Sequence, residues 1–146
     1  MLIRLARSAD AEAVNELLGQ LGYPQDDRGA TAARLQAWGD APAGAAYLAE
    51  ADGEALGVIA VYVCPFFEHD GAWARITALV VSERACGLGV GSRLVDAAEA
   101  FAARHGCSRV EVTSHDGRVN AHRFYERCGY TIQTGLSSRF LRDLST

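Results

Sequence analysis

Residues Arg84 to Leu94 read Arg-Ala-Cys-Gly-Leu-Gly-Val-Gly-Ser-Arg-Leu, which sets Gly87, Gly89 and Gly91 at alternate positions. The run before them, Ile76 to Val81, is short, apolar and β-branched, as a buried strand requires. After them, Leu94, Val95, Ala98, Phe101 and Ala102 recur at helical spacing. A strand, a glycine loop and a helix in that order present uncommitted backbone N–H groups at the positive end of a helix, which suits a phosphate. Bare glycines let the phosphate approach the backbone closely. The same spacing also reads as a flexible turn. Two common phosphate loops are excluded: Ser92 stands where Gly-x-Gly-x-x-Gly needs its third glycine, and no Gly-Lys-Ser/Thr occurs.

The elements that must hold this loop can be read in chain order. Leu2 to Ala6 has the pattern of a first strand. Ser8 or Asp10 can cap a helix whose stripe is Ala13, Val14, Leu17, Leu18 and Leu21, closed by Gly22. A second helix is expected over 30–38, with Ala33, Leu35 and Trp38 partly buried, before a break around Pro42. Strands over 46–50 and 56–63 are joined through Asp52-Gly53, a strong hairpin signal. A loop, Cys64 to Gly71, carries Phe66, Phe67, Glu68, His69 and Asp70, and a third strand over 73–81 leads into the glycine loop. The long helix ends near His105-Gly106. A strand over 109–113, a helix over 119–128 stopped by Gly129, and two closing strands over 130–132 and 139–141 complete the pattern. This is a mixed α/β order without repeats or linkers.

At 146 residues, one domain spanning 1–146 can bury a core without disulfides or metals. A net charge of −4 argues against non-specific nucleic-acid binding. No apolar run approaches the ~20 residues of a membrane span, and the N-terminus lacks a signal-peptide stretch, so a cytoplasmic protein is expected. Cys64, Cys86, Cys107 and Cys128 show no pairing or metal spacing, and no metal is expected.

A second cluster runs from Asn120 to Tyr130, and on its own reads as a short helix packed through Phe124 and Tyr125. Together the two clusters resemble the GNAT family of N-acetyltransferases. The pyrophosphate-loop signature of that family, Arg/Gln-x-x-Gly-x-Gly/Ala, is matched by Arg84, Gly87 and Gly89. Its second signature is matched by Ala121, Phe124, Tyr125, Glu126, Gly129 and Tyr130. The family form has an Asn three residues before the Ala; here that position is Arg118, and Asn120 is displaced by two. The two signatures lie in the family's order and cover roughly 73–130.

The resemblance implies a central, mixed, mostly antiparallel sheet of six or seven strands with about four helices on both faces. It implies acetyl-CoA as co-substrate and a primary amine as acceptor, with transfer direct between them. In such a site the strand before the loop splays from the strand after it. Leu79, Val80 and Val81 would align the pantetheine, with backbone groups of Cys86, Gly87, Leu88, Gly89, Val90, Gly91 and Ser92 on the pyrophosphate. Arg84, Arg118 and Asn120 are further cofactor-side candidates, and Tyr125 matches the family's acid for the departing thiolate. The usual base position on the strand is Thr77, which cannot accept a proton usefully, leaving Glu68, His69, Glu111, His115 or water. The acceptor stays open between small molecules and peptide or protein amines, and a homodimer is compatible with the resemblance. The competing reading is a non-catalytic acyl-CoA sensor of the same fold.

Overall fold

The computed structural model describes residues 1–114 and 117–145. The chain divides into two compact units, Met1–Thr113 and Ser114–Thr146.

The first unit is a five-stranded sheet in the order β1-β2-β3-β4-β5. Its strands are β1 (Leu2–Leu5), β2 (Gly44–Ala51), β3 (Glu54–Pro65), β4 (Ala72–Val81) and β5 (Cys107–Val112). The first four pair antiparallel, and β5 runs parallel to β4. Asp52 and Gly53 both have positive φ (52° and 76°), the geometry an Asp-Gly two-residue hairpin turn demands.

Helices α1 (Ala11–Leu21) and α2 (Arg28–Asp40) pack on one face of the sheet, and α3 (Val90–Arg104) joins β4 to β5. Val14 and Leu17 of α1 and Leu35 of α2 share a core with Ala46, Leu48, Val58 and Val80. On α2 the expected Ala33 is exposed. Thr31 is buried in its place because its hydroxyl donates to Asn15 Oδ1 of α1 (2.5 Å). Gly22 closes α1 in the left-handed conformation (φ 102°). Asp10 does not cap α1 with its side chain. Its carboxylate accepts two bonds from Arg4 (2.9 and 2.8 Å) and one from the Arg7 N–H (2.8 Å), tying β1 to the turn before α1.

Helix α3 buries Val90, Leu94, Val95, Ala98, Phe101 and Ala102, the stripe its spacing predicts. Its first turn sits over Gly57 of β3. A Cβ there would lie 2.8 Å from the Val80 carbonyl, 3.0 Å from Leu94 and 3.1 Å from Val90. The helix start is therefore set by a missing side chain on the neighbouring strand.

The second unit holds α4 (Val119–Arg127), closed by Gly129 at φ 94°. The two expected closing strands do not form among the described residues: one isolated bridge, Thr134 to Ser137, replaces them. Each is only three residues long, and a short two-stranded hairpin is marginal without a partner. Ile132, Phe140 and Leu141 are accordingly exposed. The sheet has five strands rather than six or seven, with the mixed, mostly antiparallel character expected.

Two outcomes test this packing. Gly57→Ala should lower the unfolding free energy by about 1–3 kcal/mol, read from denaturant midpoints, because neither Val80 O nor the α3 turn can yield easily. Arg4 holds the Asp10 carboxyl below the usual carboxylate range, against the opposing effect of burial. The resulting stabilisation is present above the ordinary carboxyl pKa and fades as pH falls through the lowered one. Asp10→Asn should therefore cost roughly 1–2 kcal/mol near pH 7, and the difference from wild type should shrink in acid melts.

Candidate active site

Where β4 approaches the glycine loop, it loses its neighbour. Pairing with β5 ends at Ile76 opposite Val112, while pairing with β3 continues to Val81 opposite Gly57. Among the described residues, Thr77 to Val81 therefore have an open edge on the β5 side. Within an antiparallel ladder, main-chain groups of successive residues point alternately to the two sides. The Ser82 N–H donates to Leu56 O (2.8 Å), which sets the phase. Ala78 and Val80 spend their groups on Ala60 and Val58 of β3, so Leu79 and Val81 direct theirs into the gap. Val80, between them, puts its side chain into the core. Two free main-chain positions about 7 Å apart can hold an extended, amide-bearing chain laid along β4 as an added strand.

The edge opens beside a bulge. Ala60 faces Ala78 but Val61 faces Ile76, so Thr77 is an extra residue on β4. Its hydroxyl lies 3.4 Å from the Ala60 carbonyl. No sequence pattern marks this bulge, and the reading from sequence missed it.

The glycine loop continues directly from the open edge. Glu83–Ala85 form a 3₁₀ turn, Cys86 to Gly89 are exposed, and α3 starts at Val90 with Gly89 as its N-cap. Gly87 (φ 81°) and Gly89 (φ 75°) occupy the left-handed region, and nothing lies within 4 Å of a Cβ built on either. Glycine is thus required there for backbone conformation, with open space above it. The first bond of this turn runs from the Arg93 N–H to Gly89 O (3.2 Å), and the N-cap has no side chain to occupy the preceding donors. The N–H groups of Val90, Gly91 and Ser92 therefore precede the helical ladder. They sit at the positive end of a 15-residue helix and suit an anion.

Arg84 is placed otherwise. Its guanidinium pairs with Glu54 (3.5 Å) and Glu16 (3.8 Å), and all three side chains are exposed. The Glu83 N–H beside it donates to Gln20 Oε1 of α1 (3.1 Å), and Ser82 Oγ accepts from the Arg84 N–H (3.3 Å). These contacts anchor the turn before the loop. Leu88 and Cys86 are exposed, and the thiol is free.

In the second unit, Arg118 is the N-cap of α4 and Asn120 lies in its first turn, both exposed. Tyr125 packs edge-on against Phe124 (5.2 Å between centroids) and near Tyr130 (5.9 Å). Burial pushes its hydroxyl above the ordinary tyrosine pKa, and Cys128 adds to this while the Arg118 charge opposes it. A tyrosine in that state keeps its proton at neutral pH and can donate it.

The base candidates are scattered. Glu68 and His69 belong to the hairpin at the start of β4, about 25 Å along the strand from Leu79. There His69 stacks on Phe66 (4.2 Å) and its Nδ1 lies 2.8 Å from the Asp70 carbonyl. Glu111 pairs with Arg75 (3.4 Å) across β4 and β5. His115 lies outside the described residues. No group of three potential metal-ligating side chains occurs among the described residues. Nor is any described helix long and apolar enough to cross a membrane.

Comparison with solved structures agrees with this architecture. A GNAT family acetyltransferase from Staphylococcus aureus superposes with a TM-score of 0.79 at 23% identity, covering 98% of both chains. Ribosomal-protein-alanine N-acetyltransferase from Brucella melitensis gives 0.78 at 18% identity over 98% of this chain and 100% of that one. The aminoglycoside N-acetyltransferase AAC(6')-Iy, in complex with CoA, gives 0.80 at 18% identity over 99% and 100%. No curated protein matches the sequence. The family model for the acetyltransferase (GNAT) family matches residues 11–130. That match takes in α1, the open edge of β4, the glycine loop and α4 together, and the chain belongs to the GNAT family of acetyltransferases.

Proposed function

We propose that this protein is a cytoplasmic N-acetyltransferase that moves an acetyl group from acetyl-CoA directly to a primary amine. The observation that carries the reading is the open edge of β4 running straight into the glycine loop. Acetyl-CoA supplies a thioester whose acyl group a neutral amine can take. The N–H groups of Gly87 to Ser92 hold its pyrophosphate, and the outward main-chain groups of Leu79 and Val81 align its pantetheine. A main-chain N–H on that edge also stabilises negative charge developing on the carbonyl oxygen. Arg118 and Asn120 are the candidates for the contact usually made by the family's displaced Asn.

Tyr125 is the acid that protonates the departing thiolate, a role supported by its place in the motif and by a hydroxyl that burial keeps protonated. Thr77 occupies the strand position of the family's usual carboxylate base, and water, or loss of the proton before binding, serves in its place. The same Thr77 favours the second reading, an acyl-CoA sensor without turnover. The acceptor is a small molecule or a peptide or protein amine, and the assembly is a monomer or homodimer.

Purified protein with acetyl-CoA and a panel of amines, followed by release of free thiol, separates the two readings. Turnover with any amine establishes the enzyme, whereas CoA binding without turnover across the panel establishes the sensor. Tyr125→Phe should lower kcat by roughly 10²-fold with the acetyl-CoA KM nearly unchanged, and wild-type rates would remove its acid role. Gly89→Val should weaken CoA binding at least about tenfold in calorimetric titration, since a β-branched residue resists positive φ and its side chain fills the open approach. Unchanged affinity would remove the loop from the pyrophosphate site.

A further inference from the structure

Beyond the reach of α1 and α2, the face of the sheet that they cover continues across three strands. Directly opposed residues in adjacent strands share a face, and the register sets Tyr62 of β3 against Arg75 of β4, and Arg75 against Glu111 of β5. The Tyr62 ring meets Trp38 of α2 edge-on at 5.8 Å, which fixes this row on the helix-bearing side. The row lies two residues before the Thr77 bulge, where the open edge begins.

Arg75 is the cation available on this row. Arg109, two residues before Glu111 on β5, lies over the Phe66 ring at 5.1 Å. Arg75 is 39% exposed, and its contact with Glu111 Oε1 is long for a charge-assisted bond at 3.4 Å. Its other terminal nitrogen donates to Thr113 Oγ1. A guanidinium has five donors in a planar fork, so this one is positioned by two neighbours and retains donors for a bidentate carboxylate. Tyr62 beside it offers an amphipathic wall for a short aliphatic chain, its ring backed by Trp38 over Gly44 of β2.

The geometry points to Arg75 as the residue that recognises the acceptor, by holding a carboxylate at the end of the molecule remote from the reacting amine. The acceptor class is then an amino carboxylic acid. Arg75 and Leu79 are four residues apart, but the Thr77 bulge sets them opposite Tyr62 and Ile59, three residues apart on β3 and about 10 Å along the strand. An extended arginine spans part of that interval and leaves the length of a short methylene chain between carboxylate and amine. The inference rests on acyl transfer at the open edge of β4.

Three matched acceptors test it: 6-aminohexanoate, its amide and hexylamine. With wild-type protein and acetyl-CoA, the acid should show a KM at least about tenfold below those of the amide and the amine. Arg75→Gln should abolish that preference by raising the KM of the acid alone, with kcat and the acetyl-CoA KM little changed, and Arg75→Lys should restore part of it. Glu111→Gln removes the ion pair but leaves the guanidinium, so the preference should survive. Loss of the preference in Glu111→Gln as well would mean that the pair merely supports the strands, and would overturn the proposal. Equal KM values for the three acceptors in wild type would overturn it too. If none of them releases thiol, calorimetric titration of the acid and amide into CoA-saturated protein decides the matter without turnover. A preference for the acid that Arg75→Gln erases upholds recognition while transfer fails, and no preference overturns recognition.

Discussion

The arrangement depends on β4 having two partners for half its length and one for the rest. Antiparallel pairing with β3 holds the strand to Val81, while parallel pairing with β5 stops at Ile76. A main chain cannot leave its polar groups without partners in a dry interior, so an open edge must face solvent or a ligand. The β3 ladder keeps that edge extended, and the bulge at Thr77 lies where it begins. What would be a liability on an ordinary sheet edge becomes a place for a ligand to pair.

The same half-paired strand delivers the chain into the glycine loop. The α3 start is pinned through Gly57, whose bare Cα lets Val90 and Leu94 settle against β3. The turn before the loop is held from α1 by Gln20. Donor-side features therefore have supports on β3 and α1, elements remote from them in sequence.

The parts of this fold legible in the sequence were those with local causes. Asp52-Gly53 specified its turn by the positive φ it needs, Gly22 ended α1, and the apolar period of α3 matched its buried face. The strand, glycine loop and helix in that order were legible, while the positive φ that Gly87 and Gly89 supply appears only in the folded loop. Features that depend on pairing were hidden. The Thr77 bulge, the phase that turns Leu79 and Val81 outward, and the alignment of Tyr62, Arg75 and Glu111 arise from registers between distant segments. The short closing strands failed for a related reason: three residues of strand-like pattern do not make a strand without a partner.

Arg84 is held by Glu54 and Glu16, which leaves its charge largely neutralised at the surface. On the proposed reading, an anion seated on the loop would meet main-chain dipoles at contact distance, with Arg84 engaged by its two carboxylates. Fixed dipoles at contact are much less screened by salt than exposed charges separated by a Debye length, about 8 Å at physiological ionic strength. On the proposed reading, the hold on such an anion would depend on backbone shape more than on any exposed ion pair.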